Sequence, residues 1–156
     1  MHVLTLCAAA LITGCSPRAD APPPPFTLIF TAAQATNAFH HVAALVAECT
    51  PRDAGTPGGA KAAVWICDRL AALGVSAELD RFTDQTPFGE KTFANVLATI
   101  PGQTDEWLVL LSHFDTMRGI GGGFQGANDG GSSTGLLLEL AVALKKAGPL
   151  RRGLIC

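Results

Sequence analysis

Apolar residues recur at helical spacing in three stretches of the chain. The first stretch predicts a helix over 31–49 with Thr31 as its N-cap, because a threonine side chain can accept a hydrogen bond from the first helical turn. The second predicts a helix over 60–73, ended by Gly74 as a C-cap. The third predicts a helix over about 132–147.

Shorter apolar runs between these stretches predict strands. Two runs at 75–82 and 92–100 predict neighbouring strands, and the chain from 151 onward resembles the opening of another. The unbroken run 107–111 is typical of a strand buried on both faces of a mostly parallel sheet. A buried strand, a loop, a helix and a further strand predict an α/β fold, specifically a three-layer α/β/α sandwich with a mixed, mostly parallel sheet.

The composition agrees with one globular domain and excludes several other classes of protein. The chain has 156 residues, of which 48% are hydrophobic and 15% are charged, which excludes a disordered chain. Its net charge of -2 and the absence of a basic run exclude nucleic-acid binding through phosphate neutralisation. No apolar run reaches the roughly 18–20 residues of a membrane-spanning helix.

The N-terminal stretch is typical of an export signal rather than of a folded domain. Residues 1–14 are apolar and end in small residues, and the sequence Ile-Thr-Gly before Cys15 resembles a bacterial lipoprotein signal with Cys15 as the lipidated residue. Because this stretch carries no Lys or Arg, an ordinary cleaved signal or a buried helix stays open. Residues 15–30 contain four consecutive prolines and predict an extended tether. We expect an exported protein on the periplasmic or cell-surface side, lipid-anchored to a bacterial membrane, that meets the membrane through this anchor only.

Candidate chemistry follows the apolar run 107–111. His113 and Asp115 alternate with Phe114, so both are expected to point the same way at the carboxyl end of a strand, where α/β sheets bind ligands. A neutral imidazole is a good zinc ligand, and a nearby carboxylate can fix its tautomer. Asp129 lies among glycines before the third helix, where a carboxylate is favoured by the helix dipole. His113, Asp115 and Asp129 each also have an ordinary structural interpretation, such as a helix cap for Asp129. A separate histidine, His41, is expected to be solvent-exposed.

The segment VLLSHFDT, followed by GANDGGSSTGLLLELAVAL, resembles metallopeptidase family twenty-eight, a zinc-dependent family that includes secreted aminopeptidases and animal-type glutaminyl cyclases. The likeness extends upstream to TPRDAGTPGGAKAAVWICDRLAALG and DRFTDQTPFGEKTFANVLATIPG. It implies that His113 binds zinc, that Asp129 bridges two metal ions and that Asp115 supports His113 as a catalytic-site residue. The implied cofactor is one or two Zn²⁺ ions.

The resemblance implies an aminopeptidase that hydrolyses N-terminal peptide bonds, with peptide or protein N termini as substrates. A glutaminyl-peptide cyclotransferase that forms N-terminal pyroglutamate is the alternative, and a non-catalytic, lipid-anchored binding module is a second alternative. The family's general-base Glu and an adjoining ligand Glu follow the strand that begins here at Gly153. Because both glutamates would lie beyond Cys156, we expect residues 31–156 to be the N-terminal portion of a truncated zinc peptidase domain. We expect this portion to be inactive alone, with the apolar run 107–111 partly uncovered.

Overall fold

The computed structural model describes residues 30–121 and 123–156. The predicted signal at 1–14 and the predicted tether, apart from its final residue, lie outside the described residues, so both stay predictions. Among the described helices, none is long and apolar enough to cross a membrane.

The three described α-helices begin and end close to the predicted positions: α1 at Ala32–Cys49, α2 at Pro57–Ala72 and α3 at Ser132–Lys146. α1 opens with a capping box, in which the Gln34 backbone N–H donates to the Thr31 hydroxyl and the Thr31 N–H donates to the Gln34 side chain. α2 begins three residues earlier than predicted. Its N-cap is Thr56, which accepts from the Gly59 N–H, and a proline occupies the first turn, where its missing N–H costs nothing.

Four strands form one mixed sheet in the order β1-β2-β4-β3: β1 at Ala77–Thr86, β2 at Gly89–Ile100, β3 at Trp107–Val109 and β4 at Gly153–Ile155. β1 and β2 form an antiparallel hairpin, β2 and β4 are also antiparallel, and β3 and β4 are parallel. The predicted α/β fold with a mixed sheet is therefore confirmed. Of the three pairings between described strands, β3 with β4 is parallel, and β1 with β2 and β2 with β4 are antiparallel.

A single buried cluster joins all three helices to the sheet. It includes Leu45 of α1, Ile66 of α2, Leu138 of α3 and Ala98 of β2, each at most 5% exposed. Burying these aliphatic side chains contributes about 1.5–3 kcal/mol for each large one. This core holds α3, and the loop before it, against the end of the sheet. The described residues form one helical side of the predicted sandwich, and a second helical layer is not among them.

β3 is more exposed than an unbroken apolar run predicts. Trp107, Leu108 and Val109 are 47%, 54% and 50% exposed, and Leu111 is 87% exposed. The prediction of a strand buried on both faces is wrong for the described chain, because no described helix packs closely over β3, whose main neighbour is β4 in the same sheet. The expectation that this run is partly uncovered is confirmed.

His41 is buried, and the prediction that it is solvent-exposed is wrong. Its Nε2 lies 3.0 Å from Oε1 of Glu139 in α3, and the Arg69 guanidinium of α2 donates to its Nδ1 at 3.1 Å. Because Nδ1 accepts from arginine, we assign the ring proton to Nε2, which donates to the carboxylate. His41 is 3% exposed and thereby links the three helices through polar contacts inside the core.

Candidate metal centre

The structure brings together the three side chains that the sequence singled out. His113 lies four residues beyond the end of β3, and its ring is placed between two carboxylates. Its Nδ1 is 3.2 Å from Oδ1 of Asp115, and its Nε2 is 3.1 Å from Oδ1 of Asp129. The side chains of His113, Asp115 and Asp129 are 57%, 37% and 62% exposed, so the group is open to solvent.

The geometry of His113 and Asp129 fits two ligands of one zinc ion. We assign the ring proton to Nδ1, which donates to Asp115, and this leaves Nε2, 3.1 Å from Oδ1 of Asp129, free to bind a metal ion. Two atoms bonded to zinc at 2.0–2.1 Å and at a tetrahedral angle lie about 3.3 Å apart, close to the separation found between Nε2 and Oδ1. An imidazole nitrogen with a carboxylate oxygen is also a donor set that suits zinc.

His113 and Asp129 alone would make an incomplete catalytic zinc site. A catalytic zinc takes three protein ligands and keeps one position open for water or substrate. Within residues 30–121 and 123–156, no group of three His, Cys, Asp or Glu side chains is arranged to hold a metal ion. Asp115 is engaged with Nδ1 of His113, so its position suits an orienting residue better than a third ligand.

Glycines allow the loop before α3 to approach the histidine. Asp129 and Gly130 interrupt an irregular helical turn at Ala127–Gly131, with Gly130 at φ 77°. A Cβ added at Gly130 would lie 2.9 Å from Cε1 of His113 and 3.0 Å from its Nδ1. A larger residue at this position would therefore displace the imidazole, in addition to the cost of a left-handed backbone.

Hydroxyl groups at the start of α3 attach this helix to the strand end. The Thr134 hydroxyl lies within hydrogen-bond distance of the Gly130 carbonyl at 2.7 Å and of the His113 carbonyl at 3.3 Å. The Ser112 hydroxyl donates to the Ser133 hydroxyl at 2.6 Å. The serine and threonine run after Asp129 therefore fixes the backbone on both sides of the candidate ligands.

Arg52 is a site-supporting residue that sequence reasoning missed. It lies in the loop between α1 and α2, is 0% exposed, and donates to three backbone carbonyls of the candidate site's two loops. Burial lowers the pKa of its guanidinium from the ordinary value, whereas the nearby Cys49, Asp115 and Asp129 raise it. No local pattern marks this residue, since its partners lie 62–74 positions away in the sequence.

A cleft of about 280 Å³ adjoins His113 and Asp115. The β1–β2 hairpin forms one wall through Arg81, Phe93 and Asn95, and the loop leading into α2 forms another. The cleft leaves room for a small ligand or a peptide terminus beside the imidazole. Its position at the strand end agrees with the general location of ligand sites in α/β sheets.

A sequence model of peptidase family M28 matches residues 95–156, a segment that contains all three candidate site residues. Among curated proteins, the chain is similar to the glutaminyl-peptide cyclotransferase of Dictyostelium discoideum. The two are 32% identical over 114 residues, which cover 60% of this chain and 32% of the relative. The chain therefore spans about a third of the length of this curated relative.

Solved structures agree with the sequence comparison. A glutaminyl cyclase from an Acidobacteriales bacterium superposes with a TM-score of 0.70 at 33% identity, covering 86% of this chain and 47% of that one. A Zn-dependent exopeptidase from Parabacteroides distasonis shares the fold, with a TM-score of 0.64 at 22% identity over 85% of this chain and 46% of that one.

Three observations point to the same family. The family model matches residues 95–156, the sheet is mixed, and its end carries His113, Asp115 and Asp129. Relatives and structural neighbours of this chain are enzymes. The predicted relationship is therefore confirmed: this chain is related to peptidase family M28, whose sequence model it matches over residues 95–156.

Proposed function

We propose that these residues belong to a zinc-dependent glutaminyl-peptide cyclotransferase, which closes an N-terminal glutamine into pyroglutamate. The observation that carries the proposal is the His113 ring between Asp115 and Asp129, with Nε2 at 3.1 Å from the Asp129 carboxylate. The choice of reaction is supported by the curated relative at 32% identity and the solved structure at 33% identity, which are both named for this activity.

The reaction requires a bond to form between the α-amine nitrogen and the side-chain carboxamide carbon, while ammonia leaves. A bound zinc ion supplies a Lewis acid that polarises the carboxamide carbonyl. His113 and Asp129 would hold the ion through Nε2 and Oδ1, and Asp115 would keep the His113 proton on Nδ1. The site cleft would receive the peptide N terminus beside His113.

Cyclisation also moves a proton from the attacking amine to the leaving nitrogen, which requires a general acid–base group. Asp115 is bound to His113, and Asp129 serves as a ligand in this proposal. Glu139 is buried against His41 and does not face the cleft. We therefore assign the proton transfer to none of these carboxylates.

An aminopeptidase is the second candidate, and the likeness in fold to the Zn-dependent exopeptidase supports it. Both reactions act on a peptide N terminus and need a polarised carbonyl. They differ in the nucleophile, which is the substrate's own amine in cyclisation and a water molecule in hydrolysis. The products therefore separate the two: ammonia and a cyclised peptide, or a free amino acid and a shortened peptide.

The experiment uses the longer protein of which residues 31–156 are expected to be the N-terminal portion, called the full-length protein below, together with zinc, a glutamine-initiated peptide and aminoacyl chromogenic substrates. We expect ammonia release from the peptide and a loss of at least about 100-fold in kcat/KM for Asp129→Asn, which removes a ligand charge. Asp105→Asn is the matched control, because Asp105 is exposed in the loop that precedes β3, at the opposite end of that strand. Release of amino acids without ammonia would favour the aminopeptidase, and the absence of both activities would refute the enzyme proposal.

We further propose that this domain works outside the cytoplasmic membrane, tethered by lipid at Cys15. The support is the sequence Ile-Thr-Gly-Cys at 12–15, followed by the four prolines at 22–25. A semi-rigid proline segment would hold the cleft away from the membrane surface, where peptide N termini can reach it.

A further inference from the structure

We infer that Arg52 is a positioning residue of the metal centre, which sets the separation between the loop that carries His113 and the loop that carries Asp129. This inference rests on the proposed function only through the zinc site, and not through the choice between cyclisation and hydrolysis.

The guanidinium of Arg52 binds both loops at once. Its Nε donates to the carbonyl of Phe114, which lies between His113 and Asp115 in the sequence. Its Nη1 donates to the Gln125 carbonyl at 2.7 Å, and its Nη2 donates to the Gly126 carbonyl at 2.6 Å, three residues before Asp129. One rigid, planar group therefore connects the backbones of both candidate ligands.

The backbone of Arg52 is itself fixed to the site. The Arg52 N–H donates to the Thr116 hydroxyl at 3.2 Å, and the Thr116 N–H donates to the Arg52 carbonyl at 3.3 Å. The Thr116 hydroxyl also lies 2.5 Å from the Asp53 carboxylate. Because Thr116 directly follows Asp115, these hydrogen bonds hold the loop before α2, and with it the guanidinium, against the end of the strand.

The second loop is shaped to receive the guanidinium. Gly126 has φ 57°, and a Cβ at this position would lie 2.8 Å from Nη2 of Arg52. The Gly126 carbonyl also accepts from the Gly131 N–H at 3.0 Å, which closes the turn that presents Asp129. Arg52 therefore binds this turn at the carbonyl that also closes it.

Zinc affinity is the property that positioning should control. Outer residues that orient metal ligands typically change metal affinity by about 10–100-fold when they are mutated. Arg52→Met keeps an unbranched apolar stem in place of the arginine methylenes but removes all three donor nitrogens of the guanidinium. Arg52→Lys keeps the charge but replaces the planar fork with a single ammonium, which cannot bind three carbonyls in the same geometry.

The experiment titrates Zn²⁺ into the full-length protein in competition with a chromophoric chelator, with circular dichroism and hydrogen exchange as checks on folding. We expect about a 10–100-fold loss of zinc affinity for Arg52→Met and a smaller loss for Arg52→Lys. Arg69→Met is the matched control, because Arg69 contacts buried His41 on the helical side and does not contact the site. It is expected to lower stability while leaving the zinc affinity of the folded protein within about twofold of wild type.

Folded Arg52→Met with wild-type zinc affinity would overturn the inference, and so would an equal loss in Arg69→Met. If Arg52→Met does not fold, folded Arg52→Lys decides the question by the same measurement. If neither variant folds, the role of Arg52 is purely structural and the inference is wrong. A wild-type protein that binds zinc but has no cyclase activity refutes the proposed function alone, whereas one that binds no zinc refutes both.

Discussion

Gly130→Ala tests whether close packing of the glycine loop against His113 positions this histidine to bind zinc. Gly130 has φ 77° and ψ -40°, a sparsely populated conformation that costs an L-residue about 1–3 kcal/mol. Its added Cβ would also lie 2.9 Å from Cε1 of His113, well inside ordinary contact distance. The imidazole must therefore move, and its contacts with Asp115 and Asp129 lengthen.

Gly74→Ala is the matched control for the backbone cost. Gly74 follows Leu73, the C-cap of α2, with the same φ of 77°, and a Cβ there has no atom within 4 Å. In urea denaturation of the full-length protein, Gly74→Ala should lose about 1–2 kcal/mol of unfolding free energy, and Gly130→Ala should lose more because its Cβ also crowds His113. Only Gly130→Ala should also lose zinc affinity, by about 10–100-fold. Equal zinc affinities in the two variants would refute the reasoning that the loop positions His113.

Three further predictions concern other parts of the chain. Glu139→Ala leaves His41 buried without its carboxylate partner and should cost about 3 kcal/mol of unfolding free energy in urea, whereas the double change of Glu139 and His41 to leucine should cost less. In a bacterial host supplied with labelled fatty acid, the wild type should incorporate label and Cys15→Ser should not; equal labelling, or none in either, counts against the lipoprotein signal. The 156-residue chain, purified with added zinc, should show neither cyclase nor aminopeptidase turnover. Within residues 30–121 and 123–156, His113 and Asp129 are the candidate ligands and no third side chain joins them, whereas a catalytic zinc takes three protein ligands; turnover that a chelator abolishes would contradict this assignment.

Local patterns predicted most of the fold because each element carries its own signal. The helical spacing and the threonine cap located α1, and the apolar runs located both strands of the hairpin. The start of α2 was missed because Gly58 and Gly59 disfavour a helix by propensity. The structure explains both glycines, since a Cβ at Gly58 would lie 2.1 Å from the Pro51 carbonyl oxygen and one at Gly59 would lie 2.5 Å from that of Asp53.

The site trio could be predicted because it depends on local rules. Alternation along a strand places His113 and Asp115 on one side, and a glycine loop can return Asp129 to the strand end. The buried polar contacts could not be predicted in this way. His41 and Glu139 are 98 residues apart in the sequence, and each occupies a position in a helix where periodicity alone cannot identify its partner.

We expect His113 and Asp129 to bind the same zinc ion. Crystals of the full-length, zinc-loaded protein, measured with X-rays on both sides of the zinc absorption edge, test this directly. We expect an anomalous peak about 2.0–2.2 Å from both Nε2 of His113 and a carboxylate oxygen of Asp129, with Asp115 still hydrogen-bonded to Nδ1. A zinc peak that lies beyond bonding distance of either side chain would contradict it.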